Sequence, residues 1–502
     1  TNFSLLAELS NTRKPLILST GMSSSIEIKR TIEFLNQKET SFVLLHCNST
    51  YPAPVHDLNI NFIKVLKNWH SYIGYSGHER GFIPSLGAVA LGAVLIERHI
   101  TIDRNMEGPD HAASLTIPEF KLFVESCREL EAAMGSSSEE RYFSQGEKIN
   151  RDNLAKSLVA ARAIQKGEVI KDVDVIVKSP GQGISPAYLD ELVGKTLNRS
   201  MGKEDYFYLS DLESDVEKVS LNFKFTRPWG IPVRYHDYLQ FRNLVIPDIW
   251  EFHFSYEDMN KDPSKYLDCI YPENFLVHAP ELFLDSHLMD LASMDIGYRE
   301  KSIEETQKII EITKSLKSFF PNTVRPKIVA NVGGFSMDKP LSEEEKILRY
   351  EILEMSLNQL DCAGVELIPQ TMAPFPWHFG GQRFQNLFLT LEDLLFWGKR
   401  LSLRYCFDVS HSYLACNYMS EDFYSFAEKI SPLVAHVHLG DGAGLNGEGI
   451  QLGEGEIDFV KLTKILKMGC PEASFIPEIW QGHKNNGAGF WAALNLLRAM
   501  DF

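Results

Sequence analysis

The chain has 502 residues, 44% hydrophobic and 23% charged, a composition that suits about three globular domains and leaves no low-complexity tract. Its formal net charge of −17 repels phosphate backbones, which argues against nucleic acid as a partner, and no run of Lys and Arg reverses that field locally. The seven cysteines are scattered without a C-x-x-C pair, and the longest apolar stretch, Gly81 to Ile96, is broken by Pro84 and Ser85. A disulfide scaffold and a membrane span are therefore not expected, and a reducing cytoplasm is the simplest compartment.

From Pro15 to Met134 short apolar runs alternate with amphipathic stretches, the rhythm of parallel strands with helical crossovers. Strands are predicted at Leu16–Thr20, Phe42–His46, Tyr72–Tyr75 and Val94–His99, with helices around Ile26–Leu35, Ile60–Trp69, Leu86–Leu91 and Pro118–Met134. A polar connector, Gly135 to Arg151, marks a boundary, because its composition cannot build a core. A small β-rich module follows. It contains a weak repeat, in which Arg162 to Asp174 is echoed by Arg199 to Asp211. From Val219 onward the β/α rhythm returns over a length that suits one complete (β/α)8 barrel. Its strands are predicted at Val219–Phe223, Ile249–Phe254, Phe275–His278, Lys327–Asn331, Gly364–Ile368, Arg404–Phe407, Val434–Leu439 and Ala473–Ile479. The expected fold is α/β throughout: a partial (β/α) barrel over 1–135, a small β-rich module over 150–214, and a complete TIM barrel over 218–502.

In the first segment polar or ionisable residues end several strands: Ser19, His46, Ser76 with His78, and Glu97 with His99. In a parallel barrel these ends form the catalytic rim. Glu97 and His99 are two apart, so strand alternation directs both to one side, and His78 approaches from the neighbouring strand. Spacing alone leaves structural and metal-binding roles open. Five segments carry a resemblance: Lys14 to Met22, His46-Cys-Asn-Ser-Thr-Tyr-Pro-Ala-Pro54, Gly74-Tyr-Ser-Gly-His78, Ile96-Glu-Arg-His-Ile-Thr101 and Gly108-Pro-Asp-His111. In this order they resemble the sialic acid (N-acetylneuraminate) synthase family.

That resemblance implies condensation of phosphoenolpyruvate with an N-acetylated amino sugar, giving a nine-carbon 2-keto sugar acid and phosphate for cell-surface polysaccharides. It implies that His78 and His99 hold Mn2+ or Mg2+, which polarises the sugar aldehyde. Ser19, Ser49, Tyr51 and Ser76 would contact substrate, and Glu97 and Asp110 would serve catalysis. Gly77 stands where the family often has Asp. The module around Pro180-Gly-Gln-Gly-Ile-Ser-Pro186 resembles the SAF, or antifreeze-like, domain, which in a homodimer caps the partner subunit's site. The family places an arginine before the Pro-Gly; here Ser179 stands there, and Lys178 is a poor substitute for a planar guanidinium, so a changed amino sugar is expected. The family barrel also has four strands before the one at Leu16. A truncated sequence, without synthase activity of its own, is the expectation.

In the carboxy-terminal segment Asp408-Val-Ser-His411, His436-Val-His-Leu-Gly-Asp441, Gly453-Glu-Gly-Glu-Ile-Asp458 and Pro477-Glu478 follow successive strands, so acids and imidazoles are expected to converge on one rim. With Gly364 to Gln370, Pro374-Phe-Pro-Trp377 and Gly380-Gly381 they resemble the xylose isomerase-like superfamily. The implied metal ligands are Gln370, Asp408, His438 and Glu478, for Mn2+, Zn2+, Mg2+ or Co2+. Glu478 is also the implied catalytic acid/base. Gln370 stands where the family has its first Glu, and an amide cannot exchange a proton at neutral pH. Glu366 lies on the same strand face but ~13 Å deeper. Asn331 occupies a position where endonuclease-like members carry a histidine. Isomerase or epimerase chemistry, a non-catalytic sugar-binding or scaffolding module, and an endonuclease-like repair activity remain as alternatives for this barrel.

Overall fold

The computed structural model describes residues 2–108, 110–135, 141, 143–212, 221–337, 339–378, 381–445 and 447–502. The chain divides into two compact units, Thr1–Arg141 and Tyr142–Phe502.

The first unit is built on four parallel strands in the order β1-β2-β3-β4: β1 Leu16–Ser19, β2 Phe42–Cys47, β3 Ile73–Gly77 and β4 Ile96–Arg98. Helices Ser25–Gln37, Phe62–Lys67 and Ile83–Ala90 form the crossovers, and Ile117–Met134 closes the unit. Ser24 and Glu27 form a reciprocal cap that starts the first of these, and Ile28, Ile32 and Leu35 line its buried stripe. That stripe packs with Leu16, Leu44, Ile73 and Tyr75 of the strands in one core. A further helix, Phe3–Asn11, which the hydrophobic pattern did not announce, is capped by Asn2. The sheet stays open between β1 and β4, and Ile17 of β1 is 54% exposed.

The second unit begins with a helix, Gln145–Leu154, started by a reciprocal cap between Ser144 and Glu147. This corrects part of the expected polar connector: the cap satisfies amide groups that a loop would leave to water. Next, β5 Ser157–Ala160 and β6 Val175–Lys178 pair antiparallel. The repeat seen in the sequence is structural. Arg162 and Asp174 join through Nε at 2.7 Å, as do Arg199 and Asp211 at 2.5 Å, and Ile164 bridges its counterpart Met201. Even the turns correspond, with Gly167 (φ +87°) matched by Glu204 (φ +72°), a side chain held in the left-handed region.

The barrel strands are β7 Gly230–Val233, β8 Ile249–His253, β9 Asn274–His278, β10 Lys327–Ala330, β11 Glu366–Pro369, β12 Tyr405–Asp408, β13 Val434–Leu439 and β14 Ser474–Pro477. All pairings are parallel. Single bridges from Gln370 to Cys406 and from Trp229 to Phe475 join the five-stranded and three-stranded sheets, so the eight strands close. The first strand corrects the expectation at Val219–Phe223. Residues 219 and 220 lie outside the described ones, and Phe223 is a floor residue, stacked with Trp491 at 6.3 Å and edge-on to Trp229 at 5.5 Å. The strand itself starts at Gly230, one residue after the Trp229 bridge, where a Cβ would come within 2.1 Å of the Ile249 carbonyl oxygen, an approach that glycine alone allows.

Candidate functional sites

In the first unit β3 and β4 place the expected histidines side by side. The His78 and His99 rings lie 5.2 Å apart at 87°, and Tyr51 packs 4.3 Å from His78 and 5.8 Å from His99. His78 Nδ1 lies 2.7 Å from the Asn48 carbonyl oxygen, which can only accept, so the proton sits on Nδ1 and the Nε2 lone pair is free for a ligand. Asp110 Oδ2 is 3.9 Å from His99 Nδ1. Ser76 Oγ donates to Glu97 Oε1 at 2.7 Å, holding that carboxylate next to the pair. Ser49 lies near Cys47, whose Sγ is 3.8 Å from the Ser49 hydroxyl. Ser19 ends β1, two strands away from β3. His46 does not join them: buried, it hydrogen-bonds the Leu58 carbonyl at 2.8 Å. Two imidazoles, one with its tautomer fixed, fit a divalent cation, although the pair is only half of an ordinary ligand set.

The second unit gathers its expected residues around a cavity of about 550 Å³ at the carboxy-terminal ends of the barrel strands, lined in part by Gln370, Asp408, His411 and Glu478. His438, fully buried on β13, is the hub. Its Nε2 meets Glu251 Oε1 at 3.0 Å, and its Nδ1 meets Glu478 Oε2 at 2.5 Å, with Asp408 Oδ2 at 3.9 Å. Glu251 also receives His436 at 2.7 Å, and His436 bonds Ser474 at 2.8 Å on its other nitrogen. Burial opposes charge on Glu251, but His438 and His436 outweigh it and hold the carboxyl well below its usual range. Burial pushes His436 down to about 4, so it is neutral and donates to Glu251.

This wiring tests the fit of a metal. With Nε2–H given to Glu251, His438 would turn its Nδ1 lone pair toward the Glu478 oxygen, two electron-rich atoms 2.5 Å apart. Such a contact needs a proton between the two atoms; a divalent ion, about 2 Å from each of its donors, would hold them further apart than this. Burial opposes a proton on His438, yet Cys406, Glu251 and Glu478 raise its pKa well above the ordinary value. Glu478 Oε2 and His253 Nε2 are buried without a hydrogen bond of acceptable geometry, and His278, His438 and Glu478 offer ligand atoms all within 4.8 Å of one another. Histidine and carboxylate donors at that spacing fit a divalent ion.

The remaining expected residues separate. Gln370 donates its amide to Asp408 Oδ2 at 2.8 Å and faces His438 Nδ1 at 3.4 Å, so in this arrangement it is a donor. Asp408 divides its oxygens, Oδ1 capping the helix Val409–Met419 and Oδ2 facing the cavity; burial raises its pKa to about 6 despite His411. Asp441 and Asp458 correct the expectation that every acid of their motifs converges on the rim. Asp441 accepts four backbone amides, from Gly442, Gly453, Gly455 and Ile457, and Asp458 caps the helix Phe459–Gly469. Such acids anchor a loop and a helix end. Glu366 is bound to Arg404 by two bonds at 2.8 and 2.6 Å. Asn331 donates to Glu281 at 3.3 Å. Gly380 lies outside the described residues.

Sequence reasoning missed His253, His278, Glu251 and Glu448. The first two end β8 and β9 and face the cavity, their rings 4.7 Å apart. The signal was a histidine at the end of each of two predicted strands. Glu448 meets His411 Nε2 at 2.9 Å while His411 Nδ1 lies 3.0 Å from the Thr371 carbonyl. Both nitrogens face acceptors, so His411 is an imidazolium: burial opposes the charge, but Asp408 and Glu448 carry its pKa up to about 10.

Comparison with known proteins finds three family models along the chain. Residues 1–139 match the NeuB family, 155–213 the SAF domain, and 267–500 the xylose isomerase-like TIM barrel. Over 209 residues the chain is 39% identical to the N,N'-diacetyllegionaminic acid synthase of Campylobacter jejuni, an alignment covering 41% of this chain and 62% of that protein. An uncharacterized protein of Methanocaldococcus jannaschii is 40% identical over 224 residues, covering 43% of this chain and 64% of that one. The chain thus spans less than two thirds of the length of these relatives. Among solved structures, a D-tagatose 3-epimerase-like protein aligns with 54% of this chain and 96% of its own, at 20% identity and a TM-score of 0.41. No helix among the described residues is long and apolar enough to cross a membrane.

Proposed function

We propose that the chain carries two sugar-processing centres: part of a sialic acid synthase-type site that joins phosphoenolpyruvate to an N-acetylated amino sugar, and a sugar isomerase or epimerase site in the closed barrel. The first reading is supported by the match to synthases and by the His78–His99 pair. The second is carried by one observation, the ligand atoms of His278, His438 and Glu478 lying within 4.8 Å of one another, with Glu251 behind His438.

Divalent ions, held by His78 and His99 in the first centre and by His438 and Glu478 with Asp408 or His278 in the second, would supply Lewis-acid polarisation of a sugar carbonyl. The chain's own groups do the rest. In the first centre Ser19, Ser49, Tyr51 and Ser76 bind phosphate and sugar hydroxyls, and Glu97 and Asp110 handle the water that adds as phosphate leaves. Carbon 3 of phosphoenolpyruvate forms the new bond to the aldehyde carbon. In the second centre Glu478 moves the proton beside the carbonyl. Gln370 cannot return it, which favours the rival in which this barrel only binds a sugar.

An open four-stranded sheet presents half the strand ends of a closed rim, so phosphate release from phosphoenolpyruvate and an N-acetylhexosamine is expected to stay at background for these 502 residues. Robust release would refute that expectation. For the barrel, metal analysis with an aldose, ketose and epimer screen decides: no bound metal removes the isomerase reading, and metal without turnover leaves the sugar-binding one. Homodimerisation with the SAF module over a partner's site belongs to the same proposal, and the solution mass tests it.

A further inference from the structure

The segment after Glu478 forms part of the cavity wall. Trp480 lies two residues beyond that carboxylate, lines the cavity and is 41% exposed. The other large ring of the lining, Phe490, is 3% exposed and belongs to the core. Among the described residues no ring stacks on the Trp480 indole. An aromatic face left open in a cavity wall is available to the apolar face of a ligand.

Its edge, by contrast, is held. The backbone amide of Trp480 donates to the Gly449 carbonyl at 2.8 Å, and the indole N–H donates to Asp152 Oδ2 at 3.2 Å. Asp152 Oδ1 lies 3.6 Å from Lys484 Nζ, so one carboxylate grips both ends of the short segment from Trp480 to Lys484. Asp152 stands on the helix Gln145–Leu154, ahead of the SAF-matched residues. Its carbonyl accepts the Gly181 amide at 2.9 Å, which ties that helix to the Pro180-Gly-Gln segment. The barrel's cavity is therefore completed by an acid from outside the barrel.

We propose that Trp480 is a stacking platform for the C–H face of a sugar ring, and that Asp152 is the residue positioning it. The inference rests on the reading that the barrel handles a sugar. The chemistry is that of an amphipathic ring: a carboxylate fixes the polar edge and the rotamer, while the apolar face meets the apolar face of a pyranose or furanose. Fixing the ring beforehand removes an ordering cost from binding. The module is thereby given a task on the barrel of its own chain.

The test uses the whole chain with Mn2+, titrated with a panel of aldohexoses and ketohexoses and followed by tryptophan fluorescence and turnover. Trp480→Ala should raise the Kd or KM for any sugar that binds by roughly tenfold. The kcat and Mn2+ affinity should stay within about twofold, because an indole supplies neither a ligand atom to the ion nor a group that moves a proton. Asp152→Ala should raise the same constant by about threefold. Asp152→Asn, whose amide oxygen still accepts the indole N–H, should restore it, and Lys484→Ala, which removes only the second hold on the segment, should raise it by less than Asp152→Ala does. Unchanged sugar affinity in Asp152→Ala overturns the proposal. So does a loss shared equally by kcat and Mn2+ affinity, or the absence of saturable binding by every sugar in the panel. If Mn2+ fails to bind, the metal-centre reading falls, while sugar quenching still decides this one.

Discussion

The same pair of donors, imidazole and carboxylate, is set in opposite surroundings in the two units. In the first, His99 is 32% exposed, the neighbouring Asp110 is 56% exposed, and His78 is oriented by a neutral backbone carbonyl. In the second, His438 and Glu251 are wholly buried, and each ring nitrogen of His438 faces a carboxylate. At the open sheet water reaches His99 and Asp110 and screens their charges, while His78 is buried and held by its hydrogen bond to Asn48. A closed barrel removes the water, so every charge must be paired, and the pairing dictates tautomers.

Substitutions can break or sharpen this contrast. On the proposed isomerase or epimerase reading, Gln370→Glu should have the largest effect, raising turnover roughly 10²-fold, the low end for a positioned acid/base group. A variant that binds Mn2+ yet turns over no sugar would count for the sugar-binding rival. Glu251→Gln should weaken Mn2+ binding about 10- to 100-fold and destabilise the second unit by about 3–5 kcal/mol, read by calorimetry and urea unfolding. His99→Ala should abolish Mn2+ binding at the first centre while changing stability by less than about 1 kcal/mol. A large loss of stability there would end the contrast.

The contrast extends to pH. Burial alone would raise the Asp258 pKa, but Lys261, the Ser255 amide and Arg234 outweigh it and hold the carboxyl far below the ordinary range. A depressed folded-state pKa contributes stability that is complete above the unfolded value of about 3.9 and is lost as pH falls through the folded one. The stability gap between the parent and Asp258→Asn should therefore narrow below about pH 4 in denaturation curves. Glu204→Gly, which relieves a left-handed side chain but removes an exposed pair with Lys178, should move the melting temperature least, by no more than about 3 °C.

Much of this was readable in the residues. Alternating apolar runs located the four strands of the first sheet and seven of the eight barrel strands to within about two residues, because burial on both faces leaves near-continuous apolar stretches. The exception, Val219–Phe223, had a strand's alternation but spends Phe223 on the barrel floor, whereas Gly230-Ile-Pro-Val233 looks like a turn and is a strand. Strand-end motifs likewise pointed to His78, His99, Asp408, His438 and Glu478. They could not separate Asp441 and Asp458 from these, since an acid that caps amides and one that faces a cavity have the same letter.

What the sequence determined by itself was periodicity and order: which segments are strands, where a module interrupts them, and that the repeat from Arg162 matches the one from Arg199. What only tertiary structure decided was pairing across distance. Glu251 and His436 are 185 residues apart, and Asp152 and Trp480 are 328 apart. Local pattern carries no information about such partners, because they are brought together by barrel closure and by the seating of one element on another, where exclusion of water makes each polar group's partner unavoidable.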